Sequence, residues 1–403
     1  MNDVIENIVC LACGSDKLEK SLDLGNQPLA NNFKKSKDQK EPKFPLGLNL
    51  CTKCYHLQLT HTVDPSIIYE NYLYVSGTSQ TLKDYSDWFA NCVHETIINK
   101  TNNILDIGCN DGTQLDSFKK LGYQTHGVDP AKNIYEISSQ KHHVMCDYFG
   151  PHLEGRILGE FDAIVAQNVC AHNPNPLGFL ETCKKLMSSH TLLFVQTSQA
   201  DMVLNNEFDT IYHEHINFFN TNSMNELAKR AGLNLVTVFK TPIHGNSYVF
   251  VFSTTEARPY YIQNLISMES KLLSVSTYRN WENTVVANMQ ILKDTINNYA
   301  DKGYKLVGYG AAAKGNTLLN FTDIKLDYII DDSSLKQGLY TPGTTIPVVS
   351  IGKLDDFSIE DKVLFIPLAW NFFTEISNKI RNKRNNTNDV FVKYFPKVEV
   401  VNV

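Results

Sequence analysis

The sequence predicts an α/β protein of two or three domains, on the basis of three observations. The chain has 403 residues, more than a single hydrophobic core usually accommodates. From Asn102 onward, short apolar stretches alternate with helical ones, which is typical of a parallel sheet covered on both faces. Ahead of them, four of the nine cysteines lie in the first 54 residues, in a lobe too small to have a large core of its own.

Composition and charge narrow the class of protein. Apolar residues make up 42% of the chain and charged residues 20%, which allows real cores and excludes disorder over most of its length. The formal net charge of -6 argues against a sequence-independent nucleic-acid binder, which needs a basic surface. Met1–Glu6 has neither a basic start nor an apolar run, and no stretch of about 18 apolar residues occurs. We therefore expect a cytoplasmic protein without nucleic-acid or membrane partners.

Two C-x-x-C pairs, Cys10/Cys13 and Cys51/Cys54, supply four soft metal ligands. Zn²⁺ prefers tetrahedral thiolate coordination, and each C-x-x-C turn presents two sulfurs to one ion. In a reducing compartment such cysteines are candidate metal ligands or buried thiols before they are candidate disulfides. We predict a structural zinc site, because a metal would help this small lobe to fold. The alternatives are four unrelated thiols or a redox pair, and neither pair follows the clear strand that a redox motif needs.

A glycine-rich turn opens the central α/β region. The apolar run Ile104–Ile107 leads into Gly108-Cys109-Asn110-Asp111-Gly112 and then a helix, so a ligand can approach the backbone there. Asp129 ends the next strand, placed to bind a ribose diol, and Asp106 could hold an ammonium group. The glycine spacing does not fit the dinucleotide fingerprint G-x-G-x-x-G.

This combination resembles motif I of class I S-adenosylmethionine (SAM) methyltransferases, with an ordinary strand-turn-helix as the alternative.

After Phe219, Ser223 and Glu226 predict a capping box that starts a helix running to about Arg230. The further predicted strands are Phe161–Ala166, Thr191–Val195 and the antiparallel pair Asn234–Phe239 and Tyr248–Phe252. The resemblance of the glycine turn to motif I implies that SAM binds to Asp106, Gly108, Cys109, Asn110, Gly112, Asp129 and Gln167.

A histidine cluster, Tyr212-His213-Glu214-His215, follows the strand that ends near Gln196, on the edge where open α/β sheets bind ligands. In an extended segment the two histidines would point to opposite faces, which argues against one shared metal. A histidine with a pKa near neutrality, oriented by a neighbour, suits proton abstraction next to a carbonyl. Asn168 and His172 follow another strand on the same edge and could converge on the same pocket. A packed surface-loop histidine is the alternative interpretation.

The C-terminal part predicts a helical connector and a second α/β unit. Residues 260–301 form a long amphipathic pattern without Gly or Pro. Beyond Tyr304, apolar strands flank the loop Gly308–Gly315, whose glycine spacing departs from the dinucleotide pattern. A Rossmann-like fold without a cofactor is therefore favoured over an NAD site. Lys314 and the helix that follows are predicted to contact a substrate diphosphate or nucleoside instead.

In their order along the chain, these motifs resemble the nucleotide-sugar C-methyltransferases of deoxysugar pathways, typified by 3-C-methylation of dTDP-4-keto sugars. The quoted segments include Asn168-Val169-Cys170-Ala171-His172, the loop from Gly308 to Thr317, and Lys336-Gln337-Gly338-Leu339-Tyr340-Thr341-Pro342-Gly343. The resemblance implies an α/β fold with a class I SAM methyltransferase domain flanked by a small zinc-binding domain and a second Rossmann-like domain. The implied bounds are 1–75 for the zinc domain, 76–257 for the SAM domain, 258–301 for the connector and 302–403 for the Rossmann-like domain.

The resemblance also implies a reaction and its residues. His215 would remove the proton next to the 4-keto group, and the resulting enolate would attack the methyl group of SAM. The implied substrate contacts near the reaction are Tyr212, Glu214, Asn168, His172 and a tyrosine of Tyr72-Leu73-Tyr74, of which Tyr74 is preferred. Gly310, Lys314 and Asn316 are predicted to bind the rest of a nucleotide-diphosphate sugar, and SAM and structural Zn²⁺ are the expected cofactors.

One departure and three alternatives accompany this prediction. Where the family often has Gly-Gly-Ser, this chain has Gly245-Asn246-Ser247, so the sugar or its C3 substituent can differ, and dTDP, GDP and CDP carriers all stay open. N- or O-methylation would need no carbon acid. A binding module with a degenerate SAM fold is disfavoured by the intact turn and Asp129. A nucleic-acid methyltransferase lacks support, since no Asn/Asp-Pro-Pro-Tyr/Phe motif follows Ala166. The oligomeric state is open, and a monomer is compatible with the sequence.

Overall fold

The chain forms two compact units, each assembled from separate stretches of sequence. A computed structural model describes residues 3–69, 77, 80–98, 101–199 and 201–402. The first unit comprises Met1–Glu19, Asn49–Ala200 and Ile216–Ser274. The second comprises Lys20–Leu48, Asp201–His215 and Val275–Val403. The division into four segments at 75, 257 and 301 stays a prediction.

The N-terminal region is built from short strands and two helices. Strand β1 pairs antiparallel with β5, and the second C-x-x-C pair lies at the end of β3. Among the described residues, one helix begins at Pro65 and a second at Gln80. The elements are β1 (Val4–Glu6), β2 (Leu18–Gln27), β3 (Phe44–Cys51), β4 (Leu57–Leu59), β5 (His61–Val63), α1 (Pro65–Tyr69) and α2 (Gln80–Thr96).

A seven-stranded sheet forms the core of the first unit. Its order is β12-β13-β10-β9-β6-β7-β8, parallel except for β13, which runs antiparallel to both of its neighbours. This is the class I SAM methyltransferase fold that the sequence predicts. Outside this sheet, strand β11 pairs antiparallel with β4. The elements are β6 (Asn103–Ile107), α3 (Thr113–Lys120), β7 (Gln124–Val128), α4 (Lys132–Ser138), β8 (His143–Met145), β9 (Ala163–Gln167), α5 (Pro176–Lys185), β10 (Leu192–Ser198), β11 (Asn217–Phe218), α6 (Thr221–Ala231), β12 (Asn234–Thr241) and β13 (Ser247–Ser253).

The central strands are apolar because helices cover both faces of the sheet. In β9 the residues from Ala163 to Ala166 are fully buried, as in a parallel strand with no solvent-facing side. The strand order reverses between β6 and β9, because the chain fills one side of β6 before crossing to the other. In open α/β sheets such a reversal leaves a crevice outside the carboxyl ends of the strands.

The capping box at the start of α6 differs from the prediction. Asn220, not Ser223, is the N-cap: its Oδ1 accepts from the Ser223 backbone N–H at 2.8 Å, and Ser223 Oγ accepts from the Asn220 N–H at 3.0 Å. Asn caps a helix as well as Ser does, and here a serine hydroxyl takes the place of the usual Glu or Gln. Glu226 binds Lys229 on the exposed face instead.

The predicted connector consists of two helices, α7 (Pro259–Ser270) and α8 (Val275–Asp301). The first belongs to the first unit and the second to the second unit. Buried residues of α8 recur every three or four positions, from Tyr278 and Trp281 to Leu292 and Ile296, so this helix packs one apolar stripe into its unit. The described residues contain no helix both long and apolar enough to span a membrane.

A six-stranded sheet forms the core of the second unit, in the order β16-β15-β14-β17-β18-β19. Five strands are parallel and β19 is antiparallel to β18, which gives the second Rossmann-like fold that the sequence predicts. Apolar side chains of the central strands, including Val307, Phe365 and Phe391, are fully buried. The elements are β14 (Lys305–Tyr309), α9 (Ala313–Thr322), β15 (Tyr328–Ile330), β16 (Val348–Val349), β17 (Val363–Pro367), α10 (Phe373–Arg384), β18 (Val390–Lys393) and β19 (Glu399–Asn402).

Candidate functional site

The four N-terminal cysteines converge on one point in the first unit. One sulfur atom of each lies within 4.8 Å of the others, with Cys10 Sγ 3.7 Å from Cys54 Sγ and Cys13 Sγ 3.6 Å from Cys51 Sγ. Zn–S bonds of about 2.3 Å put tetrahedral sulfurs roughly 3.8 Å apart, so the cluster fits a zinc ion. Hydrogen bonds within the cluster lower the pKa of the Cys51 thiol and raise the pKa of the Cys54 thiol, so without a metal the four sulfurs share their protons unequally.

The glycine turn after β6 takes a backbone course that side chains would obstruct. Gly108 has φ of +72°, and a Cβ there would lie 2.5 Å from Val169 Cγ2. Gly112, with φ of +85°, precedes α3, so the N-terminus of that helix faces the turn. The turn is tied to the neighbouring strand by the Gly108 N–H, which donates to Val128 O at 2.7 Å. The result is a shallow loop with its backbone open to a ligand.

A cavity of about 190 Å³ lies at the carboxyl edge of β6, β7 and β9, where the strand order reverses. Gly108 and Asp129 line it, and so do Asn168 and His172, which the sequence predicts on the same edge. Its other walls include aromatic and apolar residues that the sequence analysis did not single out, namely Tyr148, Phe149, Pro130, Ala131 and Val169. A glycine turn, a strand-end carboxylate and a flat apolar wall suit the ribose and base of an adenosine group.

Asp129 is held by the backbone around it. Its Oδ2 accepts from the Asn110 N–H and its Oδ1 from the Ala131 N–H, both at 2.9 Å. Burial raises the pKa of its carboxyl, and these two hydrogen bonds oppose that rise. Each carboxylate oxygen has a second lone pair, so Asp129 can still accept from a ligand hydroxyl.

The remaining predicted SAM-binding residues surround this cavity without lining it. Asp106 is buried, and burial followed by the charge of Asp129 raises the pKa of its carboxyl well above the usual range. Cys109 packs beneath the turn, where burial and the same two carboxylates raise the pKa of its thiol. Gln167 donates from Nε2 to Gln114 Oε1 at 2.7 Å.

Asn168 and His172 are fixed at the end of β9. Asn168 adopts a left-handed backbone with φ of +55°, and its Oδ1 accepts from the Ser198 N–H at 3.1 Å. That bond holds the side-chain amide in one orientation. Burial lowers the pKa of His172 to about 4, so its imidazole is neutral at physiological pH.

In the second unit, the rings of Tyr212 and His215 contact each other at a tilt of 34° and are joined by a hydrogen bond. Their ring centroids are 4.0 Å apart, and Tyr212 OH lies 2.8 Å from His215 Nε2. His215 Nδ1 lies 2.7 Å from the backbone oxygen of Thr210. A carbonyl only accepts, so Nδ1 carries the proton and Nε2 is the basic nitrogen that accepts from Tyr212.

The rest of the histidine cluster is buried with separate partners. The segment is a series of turns, not the extended strand that the sequence analysis assumed, and His213 Nε2 binds Phe44 O at 3.4 Å. Burial lowers the pKa of His213 to about 4. Glu214 is only 4% exposed, burial raises the pKa of its carboxyl, and its Oε1 accepts from Asn31 Nδ2 at 2.9 Å. The two histidines thus have different environments.

The glycine loop of the second unit repeats the geometry of the first. The Gly310 N–H donates to Ile330 O, and Asp331 accepts from the Ala311 and Ser333 N–H groups, just as Asp129 accepts from its own loop. Lys336 Nζ, however, donates to Ala311 O within this loop.

The predicted substrate-binding residues of the second unit have partners inside it. Lys314 Nζ lies 5.1 Å from the ring centroid of Trp370. Asn316 is buried, and its Nδ2 donates to Ala30 O at 2.7 Å. Gly310 has φ of +91°, and a Cβ there would lie 2.8 Å from Ala369 Cβ. Tyr74 lies outside the described residues.

Comparison with known proteins gives three family matches along the chain. Residues 10–69 match a family described as "Putative zinc binding domain", residues 79–238 a "Methyltransferase domain" and residues 242–396 a "C-methyltransferase C-terminal domain". The C-methyltransferase NovU of Streptomyces niveus is 27% identical over 398 residues, which cover 93% of each chain.

Two further similarities cover only part of the chain. The ubiquinone biosynthesis O-methyltransferase of Chromobacterium violaceum is 27% identical over 163 residues, 36% of this chain and 69% of that protein. The solved structure of a SAM-dependent methyltransferase from Leishmania major has 14% sequence identity and a TM-score of 0.37, covering 44% of this chain and 75% of its own.

Proposed function

We propose that this chain, which is similar to a SAM-dependent C-methyltransferase over nearly its whole length, methylates a carbon of a nucleotide-linked 4-keto-deoxysugar, with His215 as the base. The similarity to NovU runs over 93% of both chains, whereas the similarity to the O-methyltransferase covers 36% of this one. This difference favours carbon over oxygen as the methyl acceptor. The motifs that resemble nucleotide-sugar enzymes support the choice of substrate.

The observation that carries the proposal is the hydrogen bonding of His215. With its proton held on Nδ1 by Thr210 O at 2.7 Å, the imidazole presents Nε2 as a base. A carbon next to a 4-keto group is acidic because the electron pair left by the proton moves into an enolate. A neutral imidazole suits this proton transfer, which typically contributes about 10²–10⁴-fold to the rate. Tyr212 shares a hydrogen bond with the same nitrogen and would orient it or relay its proton.

The enolate oxygen needs hydrogen-bond donors. We assign Asn168 and His172 to this role, together with Tyr74, because an amide N–H and a neutral imidazole N–H can donate to a developing oxyanion. Glu214, a buried carboxyl beside the base, is proposed to bind a sugar hydroxyl. These groups would also fix the reacting carbon in position, which can supply much of the rate enhancement.

SAM is proposed to occupy the cavity at the glycine turn, with Asp129 on the ribose hydroxyls and Gly108 beside the amino acid part. Asp106, Cys109, Asn110, Gly112 and Gln167 shape this site from behind. When bound, SAM supplies an electrophilic sulfonium methyl group to the nucleophilic carbon. Tyr148 and Phe149, which line the cavity, would pack against the adenine.

The second unit is proposed to bind the nucleotide-diphosphate end of the sugar through Gly310, Lys314 and Asn316. Lys314 at the start of α9 supplies the positive charge that a diphosphate requires. The four cysteines are proposed to bind one structural Zn²⁺ ion, since thiolates would fill all four tetrahedral positions and leave none for substrate.

The proposal is tested by hydrogen exchange in D₂O. The protein is incubated with a panel of dTDP-, GDP- and CDP-4-keto-6-deoxyhexoses, with and without SAM, and sugars are analysed by mass spectrometry. We expect one sugar to gain a methyl group when SAM is present. Without SAM, the same sugar should gain a deuterium at the carbon next to its 4-keto group. His215→Gln should slow both methyl transfer and deuterium exchange by about 10²–10⁴-fold. His213→Gln, which changes the neighbouring histidine, should retain both reactions.

Other outcomes are equally informative. If methyl transfer occurs without deuterium exchange and is unaffected by His215→Gln, the methyl acceptor is a nitrogen or an oxygen atom and not a carbon. Binding of SAM without modification of any sugar would reject the proposed substrate class and keep the methyltransferase assignment.

A further inference from the structure

We propose that the second unit sets the tautomer and direction of His215 through Asp209, with Trp370, Lys314 and Thr317 as positioning residues. The proposal rests on the proposed role of His215 as the base. It gives the C-terminal Rossmann-like sheet a function in the reaction step in addition to substrate binding.

Asp209 is a fully buried carboxyl held from two sides of its unit. Trp370 Nε1, in the turn after β17, donates to Asp209 Oδ2 at 2.8 Å. Burial raises the pKa of Asp209 to about 6, while the charge of Lys314 and hydrogen bonds from Trp370 and the backbone at Asp209 and Thr210 lower it. Trp370 thus holds Oδ2, and the charge of Lys314 stabilises the carboxylate, whereas Oδ1 is buried without a hydrogen-bond partner among the described residues.

The carboxyl lies one residue from the atom that orients the base. Thr210 O accepts from His215 Nδ1, so the direction of this carbonyl decides which imidazole nitrogen carries the proton. Asp209 directly precedes Thr210, and the hydrogen bond from Trp370 to its side chain restrains the backbone at that point. A rotation of the Thr210 carbonyl would break its hydrogen bond with His215 Nδ1. Metal-binding and catalytic histidines depend on just such partners for their tautomer.

The next carbonyl along the chain is fixed from α9. Thr317 Oγ1 donates to Ile211 O at 3.2 Å, and Thr317 is buried. Lys314 and Thr317 are three residues apart and share one face of α9. The residues 209–211 are thus held by α9 and by the turn after β17, two elements at the carboxyl edge of the C-terminal sheet.

A second indole contacts the same segment at a position that does not reach His215. Trp281 Nε1, on α8, donates to Glu207 O at 3.0 Å. Trp281 is buried and Trp370 is half-buried, and each donates one hydrogen bond to residues 207–209. The difference is that only Trp370 acts on the residue adjoining Thr210. Trp281→Phe is therefore a matched control for the loss of one indole hydrogen bond.

The test uses Trp370→Phe, which removes the indole N–H and keeps an aromatic ring, and Thr317→Val, which removes the hydroxyl and keeps the size of the side chain. Lys314 is left unchanged because it also has a proposed role in substrate binding. Protein labelled with ¹⁵N-histidine is studied by long-range ¹H–¹⁵N NMR, with His215 assigned from its loss in His215→Gln. We expect the wild-type protein to show a single Nδ1–H tautomer at His215 and both variants to show a mixture of tautomers.

Kinetics give the second measurement. We expect kcat to fall about tenfold or more in each variant, with KM for the sugar unchanged within twofold, because a small displacement of a reacting group has a large cost in rate. Trp281→Phe should lower the thermal midpoint by a similar amount and keep the wild-type kcat and His215 spectrum. A role confined to folding would move all three midpoints and leave the NMR signature alone.

An unchanged His215 tautomer in both Trp370→Phe and Thr317→Val would overturn the proposal, whatever the rate. A tautomer mixture in Trp281→Phe as well would also overturn it, since the effect would then be general to the segment. The NMR measurement needs no substrate, so the proposal can be judged even if no sugar on the panel is methylated. If no sugar on the panel is methylated, only the proposed substrate class is rejected.

Discussion

Asp129 and Asp331 show how much of a binding site depends on a single residue type in a fixed local frame. Each ends a strand, each accepts from the N–H two residues on, and each accepts from the N–H of a glycine-containing loop on the preceding strand. Asp129 also lines the cavity of about 190 Å³ at its turn. The two carboxylates thus accept equivalent backbone hydrogen bonds, and ligand binding is proposed only for Asp129.

This pair supplies a matched test of the SAM site. Asp129→Ala should lower the affinity for S-adenosylhomocysteine about 10–150-fold, since hydrogen bonds to a charged group are worth about 1.5–3 kcal/mol. Asp331→Ala loses equivalent backbone contacts and should bind the ligand as the wild-type protein does. Isothermal titration calorimetry on both variants measures the difference. Equal affinity losses in the two variants would show that the effect is one of loop stability.

At the scale of elements, local patterns predicted strands and helices well and site walls less well. Apolar runs such as Ile104–Ile107 predict buried strands because packing from both faces leaves no polar positions. Strand β8 has only three residues with mixed polarity, so Tyr148 and Phe149, which follow it, were not recognised as cavity walls. The N-cap Asn220 was missed because several polar residues precede α6 and tertiary contacts decide among them: its Nδ2 also binds Tyr55 O.

The N-terminal strands offer an element-scale prediction about metal. If the four thiolates bind Zn²⁺, purified protein should contain one zinc per chain, measured by elemental mass spectrometry. Cys51→Ser should lose it and lower the thermal midpoint by roughly 5–10 °C, because metal binding stabilises only the folded state. Cys92→Ser, which changes a cysteine on α2 away from the cluster, should keep both. Full metal loss without a change in midpoint would contradict the structural role.

At the scale of the whole molecule, the composition of the second unit could not be predicted from local patterns. Residues 20–48 and 201–215 join it through contacts hundreds of residues apart, such as the antiparallel bridge between Lys34 and Tyr340. Periodicity reports which residues of an element are buried, not what buries them. No role was therefore predicted for Asn31, Asp209 or Trp370: Asn31 binds Glu214, and Trp370 binds Asp209 just ahead of Tyr212–His215.

A buried ion pair tests this long-range assembly. Lys34 Nζ lies 3.3 Å from Glu41 Oε1 and donates to Thr345 Oγ1, while the Gly343 N–H donates to Glu41. Lys34→Met should lower the free energy of unfolding by about 3–5 kcal/mol, because Glu41 would be left as a buried, uncompensated charge.

Urea denaturation measures the loss, and two comparisons define it. The double variant Lys34→Met with Glu41→Gln should recover part of the stability, since no buried charge is left. Lys383→Met, which breaks a more exposed ion pair with Asp355 in the same unit, should cost only about 0–1 kcal/mol. A loss at Lys34 no larger than at Lys383 would rule out an energetic role for this pair in joining residues 20–48 to the C-terminal sheet.

The interrupted course of the chain through its two units limits how such enzymes can be recombined. The short stretch Asp201–His215 leaves the first unit after β10 and returns to it just before β11. A chimera made by a single crossover at the connector would pair this stretch with a foreign Trp370 and Thr317. An exchange that preserves its native neighbours must transplant residues 20–48, 201–215 and 275–403 together. Domain shuffling in this fold thus requires the exchange of three separate segments.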